Sequence, residues 1–590
     1  MNKIKIYIVL IAGLLSSCNE DFLETKPMDS YSDAAVWSDP ALVEAFVNSI
    51  NMGRQNGFQL EMMASLSDIS MTKRGEVNPI LNSGIGDSYL SVLDPNHWLI
   101  SYRNVTWNRL YQNIRACNVF FDNMSTSTLE GDEIDRLKGE VYFFRAYYYH
   151  WLLKFWGGVP LVDQAYELSD DLKISRSSLE ETVNFIVSDL DAAANLLPVS
   201  GDKARATQGA ALALKSRVLL FAASDLCNSN ASWTSGFNNP ELVSYTDGNQ
   251  MARWQAAKDA AKAVMDLNLY SLYGGTNPGS LEQAKENYIN LFLNYGSEED
   301  ILLTFHDMLN DNDWQEPNPG LFYGPNGYHC WGNHTPTQQF IDSFEMVDGS
   351  MFDWSNPTHQ VAPYDNRDPR FYANILYDGS QWRQRPANVI SADPEGIIQT
   401  GYYENEDGSF RGGLDTRQGI DDWNGTYTGY YIRKFVDPAI DHQFEKQDLP
   451  WRELRYAEVL LNYIEASFEL GEEGEARTYL NMIRNRAGMP DVPDTESGDD
   501  LESRYRNERK IELAYEQHRY FDIRRWMIAP DVIENVQGIR IEYPYGGGDL
   551  SYQVFEVQNQ TRNWENKSYF LPILLDEINR NNLLIQNPDY

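Results

Sequence analysis

The sequence predicts a mostly helical protein, in which a scaffold of helical hairpins carries a loop-rich, partly β elaboration. Helical periodicity dominates about residues 42–293 and returns at 451–486 and 501–526. Residues 298–447 are instead rich in Gly, Pro, Asn, Asp and aromatics and have no sustained helical period, which favours loops and short strands. Because a loop-rich segment of that length usually carries function, we look for the functional site there first.

The helical segments of the first half have clear faces and clear ends. In residues 133–156, Ile134, Leu137 and Val141 recur at spacings of three and four, which places them on one face of a helix. The run GGVP at 157–160 follows directly and is typical of a helix stop. These segments therefore predict discrete helices joined by short breaks.

Several helix pairs resemble the tetratricopeptide pattern, in which small residues let two helices approach closely. Gly139, Phe143 and Ala146 fit the second helix of such a repeat. Residues 456–463 and 476–483 fit both helices, with a few extra residues in the turn. The match is degenerate, so an unrelated helical bundle remains an alternative at this point.

The N-terminus has the layout of a secretory signal. Lys3 and Lys5 precede the apolar run 6–15, which is too short to span a bilayer. The residues LSSC that follow resemble a bacterial lipoprotein cleavage box, in which Cys18 becomes the lipid-bearing first residue of the mature chain. We therefore expect a lipid anchor at Cys18, with an ordinary signal peptide and a chance cysteine as the alternative.

The net charge limits which partners are expected, and the cysteine positions limit which disulfides and metal or redox motifs are expected. The chain has 86 acidic and 48 basic residues, a formal net charge of −38, and no basic run. Nucleic acid is therefore not an expected partner, and membrane contact is expected only through the lipid anchor. Cys117, Cys227 and Cys330 lie far apart and form no C-x-x-C pair, so they predict neither a disulfide framework nor a redox or zinc motif.

A cluster of acidic residues near the C-terminal end of the helical region suggests acid–base or metal chemistry. Glu508, Glu512 and Glu516 recur at a spacing of four. Arg509 and Arg519 lie three residues from members of this series, and this spacing favours ion pairs that hold the helix against its neighbours. We therefore interpret the cluster as structural.

The only cluster of soft metal ligands in the sequence is formed by His329, Cys330 and His334. It lies among Gly and Asn in the loop-rich segment, and a fourth ligand and a defined scaffold are missing, so we interpret these residues as loop residues rather than a zinc site. Nucleophile-elbow, zincin, Walker and dinucleotide motifs are also missing in a supporting context. The sequence predicts a protein that is not an enzyme and that uses no cofactor or metal.

Aromatic residues beside hydrogen-bonding groups are the candidate ligand-binding residues. A sugar presents an apolar C–H face and a rim of hydroxyls, which flat aromatic rings together with Asp, Asn or Arg can match. One region runs from 67 to 102 and a second from 310 to 334, with further tryptophans downstream. The first choices are Trp98, Trp314 and Trp331, followed by Asp68, Arg74, Tyr89, Tyr323, Tyr328 and Trp354. Any one of these aromatics could instead be packed under a loop.

Several sequence blocks occur together in a fixed order in the second half. They are DPRFYANILYDG (368–379), TGYYIRKF (428–435), LRYAEVLLNYIEA (454–466), LNMIRNRAGMP (480–490), RNERKIELAYEQHRYFDIRRW (506–526) and the closing YFLPILLDEINRNNLLIQNPDY. In this order they resemble the SusD/RagB family of outer-membrane nutrient-binding lipoproteins. CNEDFLETKP and FFRAYYYHWLLKFWGGVPLV resemble the N-terminal half of the same family.

This resemblance implies a SusD-like fold of four tetratricopeptide-like units with a loop-rich elaboration. It also implies a lipoprotein that is anchored in the outer membrane and faces the cell exterior. Such a protein binds an oligosaccharide or polysaccharide non-covalently and delivers it to a SusC-like TonB-dependent transporter, for which it acts as the lid. A surface glycoside hydrolase, a protein that binds a peptide or another non-glycan nutrient, and a pure interaction scaffold remain alternatives.

The predicted organisation is a signal peptide, residues 1–17, followed by one SusD-like unit, residues 18–590. Within this unit we expect a helical scaffold at about 30–297 and 448–530. The loop-rich ligand-binding elaboration is expected at about 298–447, and an irregular C-terminal segment at 531–590. Ligand residues vary between members of the family, so the resemblance assigns no individual site residue.

Overall fold

Helices form the bulk of the molecule, as the sequence predicts. The structure is a computed structural model that describes residues 36–55, 57–58, 60–74, 103–167, 169–228, 232–306, 318–558 and 561–590. Within these ranges the strands are short and form four small sheets. The predicted fold class, mostly α with a partly β elaboration, is confirmed.

The helices fall into a long N-terminal series, a set of short helices in the loop-rich segment and a C-terminal series. The first series is α1 (Pro40–Asn51), α2 (Trp107–Met124), α3 (Asp132–Trp156), α4 (Leu179–Leu196), α5 (Gln208–Ala223), α6 (Asp225–Asn228), α7 (Gln250–Asp266) and α8 (Leu281–Leu293). The short helices are α9 (Pro319–Tyr323), α10 (Gln338–Asp342), α11 (Pro357–Val361) and α12 (Pro369–Asn374). The last series is α13 (Tyr456–Glu469), α14 (Glu473–Arg486), α15 (Asp499–Glu512), α16 (Arg519–Arg525), α17 (Ala529–Val532) and α18 (Leu575–Arg580).

The strands join parts of the chain that are distant in sequence. They are β1 (Ser70–Thr72), β2 (Asp300–Thr304), β3 (His334–Pro336), β4 (Ile375–Leu376), β5 (Tyr402–Glu404), β6 (Phe410–Gly412), β7 (Tyr431–Ile432), β8 (Trp451–Arg455), β9 (Gln537–Tyr543) and β10 (Ser551–Glu556). Antiparallel pairs are formed by β1 with β3, β2 with β8 and β4 with β7. The fourth sheet has the order β10-β9-β5-β6, and only its β5–β9 pair is parallel.

Consecutive helices of the scaffold pack against each other, which is the arrangement that the helical-hairpin pattern predicts. Helix α3 packs between α2 and α4, α5 packs on α4 and α7, and α13 packs on α7 and α14. Gly139 of α3 shows why a small residue is needed, since a Cβ atom there would lie 2.9 Å from Leu197. The apolar face predicted for α3 is confirmed, because Ile134, Leu137 and Val141 are all buried.

Local sequence signals set the ends of these helices. Ser178 caps α4 through a capping box, in which its hydroxyl accepts from the amide of Glu181 while the Glu181 carboxylate accepts from the amide of Ser178. Gly157 ends α3 with φ of 78°, and a Cβ atom there would lie 2.6 Å from the Leu242 carbonyl oxygen. The predicted stop after Trp156 is therefore confirmed, and a close backbone contact enforces it.

The loop-rich segment begins and ends at one place in the fold. Strand β2 lies at the start of the segment and pairs with β8, which follows the segment, so this antiparallel pair closes the segment at its base. Strand β1 pairs with β3 and connects the segment to residues 70–72, while β5 pairs with β9 of the C-terminal region. Three strand pairs, β1–β3, β2–β8 and β5–β9, thus connect the loop-rich segment to the rest of the described chain.

A network of buried ion pairs connects the C-terminal helices to the loop-rich segment. Glu508, Glu512 and Glu516 are all buried, and their carboxylates contact cations from other elements. These cations are Arg370, Lys434, Arg455, Arg484 and Arg486. Burial raises the pKa of Glu512, but the surrounding arginines outweigh burial and lower it below the usual range. Arg455 and Lys434 do the same for Glu516.

The structural role expected for these glutamates is therefore confirmed, but the neighbours expected from sequence spacing are wrong. Arg509 pairs with Asp522 at 3.0 Å, and Arg519 pairs with Asp68 at 2.7 Å. Spacing along one helix cannot identify partners that approach from other elements, because tertiary packing decides which cations reach the buried carboxylates.

Two further observations concern the cysteines and the helices of the part of the chain that the structure describes. Cys117, Cys227 and Cys330 are buried, free thiols. Among the described helices, none combines the length and the apolar character needed to cross a membrane.

Candidate functional site

Part of the predicted ligand site lies outside the described residues. Tyr89, Trp98 and Trp314 fall there, and so does the predicted lipid anchor Cys18. These four assignments remain predictions. The other predicted site residues are described, and they separate into buried or partly buried residues that are engaged within the protein and one surface group.

Tyr323 and Tyr328 are packing residues in this structure. Their side chains are only 1% and 0% exposed. The Tyr328 hydroxyl donates to the Arg383 carbonyl oxygen at 2.7 Å, and the Arg385 guanidinium lies 4.4 Å from the centre of its ring. Since a saccharide needs an accessible ring face, neither tyrosine offers one in this conformation.

Trp354 and Asp68 are also engaged within the protein. The indole N–H of Trp354 donates to the Asp342 carboxylate at 3.1 Å. Both carboxylate oxygens of Asp68 accept from Arg519 at 2.7 Å. Burial raises the pKa of Asp68, but the Arg519 guanidinium outweighs burial, so this pKa lies below its usual value. Asp68 therefore holds α16 against the loop before β1.

Arg74 and Trp331 belong to a group that we call the aromatic–basic cluster, which comprises Lys73, Arg74, Trp331, Trp423 and Asn424. The Lys73 ammonium donates to the Trp331 carbonyl oxygen at 2.6 Å and to Asn424 Oδ1 at 2.7 Å. It lies 5.1 Å from the ring centre of Trp423, and the Arg74 guanidinium lies 5.6 Å from the same ring. The cluster thus brings together three segments that are distant in sequence.

The β1–β3 pair forms the rigid base of the aromatic–basic cluster. Lys73 follows directly after β1, and its amide donates to the Asn333 carbonyl oxygen at 3.1 Å. Arg74 Nε donates to Asn333 Oδ1 at 3.1 Å and lies 3.3 Å from the carboxylate of buried Glu61. The Lys73 backbone and the Arg74 side chain are therefore both held by hydrogen bonds to Asn333, the residue before β3.

Trp423 is the accessible aromatic of the cluster. Its side chain is 48% exposed, whereas Trp331 is partly buried against the core and lies 5.6 Å from Phe322 between ring centres. The backbone amide of Trp423 donates to the Asp421 carboxylate at 2.8 Å, which fixes the turn that presents the ring. Two cations approach this ring, so it is held by cation–π contacts and remains open to solvent.

The electrostatics of the cluster are unusual for a lysine. Burial lowers the pKa of Lys73 to about 7, and the neighbouring charge of Arg74 acts in the same direction. The ammonium is kept beside two oxygen acceptors and one aromatic ring. An aromatic surface beside hydrogen-bond donors of this kind matches the C–H face and the hydroxyl rim of a sugar.

Trp423 is not among the site residues predicted from the sequence. It lies in IDDWNGT, between β6 and β7, where Asp, Asn and Gly surround a single tryptophan. The same local signal marked Trp314 in NDNDWQEP. The sequence could therefore have suggested Trp423, but its proximity to Lys73 depends on a contact across about 350 residues.

A cavity of about 280 Å³ lies beside the β5–β9 pair, on the same loop-rich side. Its aromatic lining comes from Tyr402, Tyr427 and Phe555. The Arg540 guanidinium also lines it and lies 4.0 Å from the ring centre of Tyr402. Tyr427 and Trp423 belong to the same loop between β6 and β7, so this loop contributes to both features.

The soft ligands predicted to be ordinary loop residues do not converge. His334 contacts the side chains of Ser65 and Glu61, whereas His329 contacts Asn388. In the described ranges, no group of three or more His, Cys, Asp or Glu side chains is arranged to hold a metal ion.

Comparison with known proteins identifies the family. Two family sequence models match the chain: one described as "SusD family" matches residues 299–590, and one described as "Starch-binding associating with outer membrane" matches residues 21–220. The chain belongs to the SusD/RagB family. The resemblance noted from the sequence blocks is confirmed.

Relatives of this SusD/RagB-family chain match it over nearly its whole length. A SusD-like protein of Formosa agariphila is 23% identical over 573 residues, which cover 91% of this chain and 94% of the relative. The solved structure of a SusD-like protein of Bacteroides fragilis is 29% identical, with a TM-score of 0.71, and the match covers 96% of this chain and 100% of that one. A second structure from the same species, a SusD-like carbohydrate-binding protein, is 23% identical with a TM-score of 0.68 and covers 93% of this chain and 100% of that one.

Proposed function

We propose that this protein binds an oligosaccharide or polysaccharide at the cell surface without cleaving it, and that the aromatic–basic cluster is one contact surface for that ligand. The observation that best supports this proposal is the position of the Trp423 ring, which is 48% exposed and lies beside the cationic side chains of Lys73 and Arg74. The ring matches the apolar face of a sugar, and the basic groups match its hydroxyls. Trp331 belongs to the same cluster, and Trp98 and Trp314, which lie outside the described residues, remain predicted ligand contacts.

Two comparisons support the carbohydrate ligand. One family description speaks of starch binding in association with the outer membrane, and one solved relative is described as carbohydrate-binding. Buried Glu512 of α15 and Glu516, which follows that helix, are neutralised by arginines and a lysine, which supports a structural role for them instead of glycosidase chemistry.

Delivery to a transporter is the second half of the proposal. The protein is anchored through a lipid on Cys18 in the outer membrane, faces the cell exterior, and passes its ligand to a SusC-like TonB-dependent transporter as the lid of that barrel. The family description of outer-membrane association supports this placement. Size-exclusion chromatography of the lipidated chain with its transporter tests it: co-elution is expected, and separate elution at micromolar concentrations would contradict the lid role.

Isothermal titration calorimetry with a form that begins at Asn19 tests glycan binding, using a panel of plant, host and microbial oligosaccharides. We expect saturable binding to one class and no product on chromatography of the mixture. Trp423→Ala should weaken binding about tenfold, the equivalent of about 1.4 kcal/mol for one lost aromatic contact. Tyr295→Ala is the matched control, because Tyr295 is also an exposed aromatic but lies in the scaffold after α8.

The same titration separates the alternatives. Product formation that stops when a carboxylate is replaced would indicate a hydrolase, and binding of peptides but not glycans would indicate a different nutrient. Equal affinities for Trp423→Ala and the unaltered protein would remove the aromatic–basic cluster from the binding surface.

A further inference from the structure

A second cavity lies on the scaffold, along helix α15. Its volume is about 690 Å³, and we call it the α15 cavity. Its basic lining residues are Arg504, Arg506, Lys510 and Arg519. None of these residues belongs to the aromatic–basic cluster. The volume falls within the range typical of sites for small ligands.

Lys510 differs from Arg504 and Arg519 of the α15 cavity because it forms no hydrogen bond or ion pair with a described residue, although the Asp68 carboxylate acts on it electrostatically. Arg519 binds the Asp68 carboxylate with two hydrogen bonds of 2.7 Å. Arg504 forms ion pairs with Glu345 at 2.8 Å and Glu496 at 2.6 Å. The Lys510 ammonium makes no hydrogen bond or ion pair with any described residue, although it lines the cavity.

The carboxylates in the cavity wall do not neutralise Lys510. Glu345 and Glu496 are engaged by Arg504, and Glu345 also pairs with Arg484 at 2.9 Å. Asp500 is exposed and stands ten residues before Lys510 on α15, so the two are about 15 Å apart along the helix axis. A positive charge is thus directed into the cavity of a chain whose net charge is −38.

The remaining lining suits a small polar ring that carries an anionic group. Met351 is 49% exposed and lies with Ile528 on the cavity wall, so both can contact an apolar face. Ser503 and Asn507 add hydrogen-bonding side chains from α15. The long-range field of an acidic protein repels anions, so capture of an anion here depends on a local cation.

We propose that the α15 cavity binds an acidic saccharide, with Lys510 as the counter-charge for its carboxylate or sulfate group. The inference rests on the proposed function for the saccharide part of the ligand and extends it to a ligand class and a second contact region. Asp68 connects the two regions, since it binds Arg519 of the cavity and lies five residues before Lys73 of the aromatic–basic cluster.

Protection of Lys510 from acetylation, mapped by mass spectrometry, is the direct test. Burial lowers the pKa of Lys510 to about 8; the charge of Arg519 also lowers this pKa, whereas the Asp68 carboxylate raises it. Near pH 8 part of the amine is therefore neutral and reactive. Glucuronate or galactose 6-sulfate at ten times its Kd should slow acetylation about tenfold, whereas glucose and galactose should not. The uronate and the sulfate arms distinguish the two kinds of anionic group. Lys262, on the scaffold helix α7, gives the reference rate in the same digest.

Two variants test whether the charge of Lys510 is needed for binding. Lys510→Gln should lose calorimetric binding of the acidic sugar, whereas Lys510→Arg, which keeps the charge, should retain it. Thermal unfolding and circular dichroism of both variants report whether the fold is intact.

Three outcomes would overturn the proposal. They are the absence of protection by either acidic sugar, equal protection by the neutral sugars, and full binding to Lys510→Gln. Failure of the proposed function is distinguishable, because Trp423→Ala tests the aromatic–basic cluster and leaves Lys510 protection unchanged if the α15 cavity acts on its own.

Discussion

Replacing Glu512 by glutamine should strongly destabilise the protein, because Glu512 neutralises three buried arginines. Its carboxylate is fully buried and accepts from Arg455 at 2.8 Å and from Arg370 at 3.1 Å, and it also contacts Arg486. Glutamine keeps the size of the side chain but removes the charge. It also places an N–H donor where a guanidinium already donates.

The size of the loss follows from the burial of the network. Removing one partner from a buried ion pair costs about 3–5 kcal/mol, because the remaining charge is left without compensation in a medium from which water is excluded. We therefore expect the free energy of unfolding to fall by about 4 kcal/mol. Urea titration followed by far-UV circular dichroism at neutral pH measures this change.

An exposed ion pair provides the matched control for Glu512→Gln. Glu282 contacts Lys285 at 2.5 Å and its side chain is 72% exposed, so Glu282→Gln should change the free energy of unfolding by less than about 1 kcal/mol. If Glu512→Gln and Glu282→Gln shift the urea midpoint equally, the reasoning that links burial of the network to stability is wrong.

Three further predictions concern the stability at acidic pH, the close packing at Gly158 and the reactivity of the Cys330 thiol. The pKa of Glu516 in the folded protein is lowered from 4.5, so its contribution to stability is complete above pH 4.5 and is lost as the pH falls below that value. The urea midpoint should therefore drop between neutral and acidic buffers. A midpoint that does not change with pH would contradict this prediction. Gly158→Ala should lower the free energy of unfolding by about 3 kcal/mol in a thermal or urea measurement, because its Cβ atom would lie 2.2 Å from the Ser177 carbonyl oxygen. The control Gly474→Ala, where a Cβ atom meets open space, should leave the free energy of unfolding unchanged or raise it slightly. Cys330 should resist iodoacetamide until the protein unfolds, because burial raises the pKa of its thiol to about 12; peptide mapping with and without urea shows whether it does.

The helical scaffold could be predicted because its signals are local. Ile134, Leu137 and Val141 are buried on one face of α3, as their spacing predicts, and the break after Trp156 falls where the glycines stand. Periodicity of this kind reflects which face of a helix meets the core, and it needs no knowledge of the neighbouring element.

The proposed binding surface could be predicted only in outline. The aromatic content of residues 310–334 pointed to a site, but Tyr328 is fully buried whereas Trp331 is partly exposed, although they stand three residues apart. Trp423 was missed, since Lys73 and Arg74, which lie beside its ring in the proposed site, are distant in sequence. Exposure of a loop residue depends on what packs over it, and no local pattern records that.

By itself, the sequence determined the mostly helical class, the helix ends, the family and the loop-rich segment that elaborates the scaffold. Only the tertiary structure decided which cations neutralise Glu512, which tryptophan stays open to solvent beside Lys73, and that Lys510 lines a cavity without an ion pair to any described residue. The physical reason is that helix formation and helix stops depend on contacts within a few residues. Burial and charge pairing depend on residues that the fold brings together from up to hundreds of positions away.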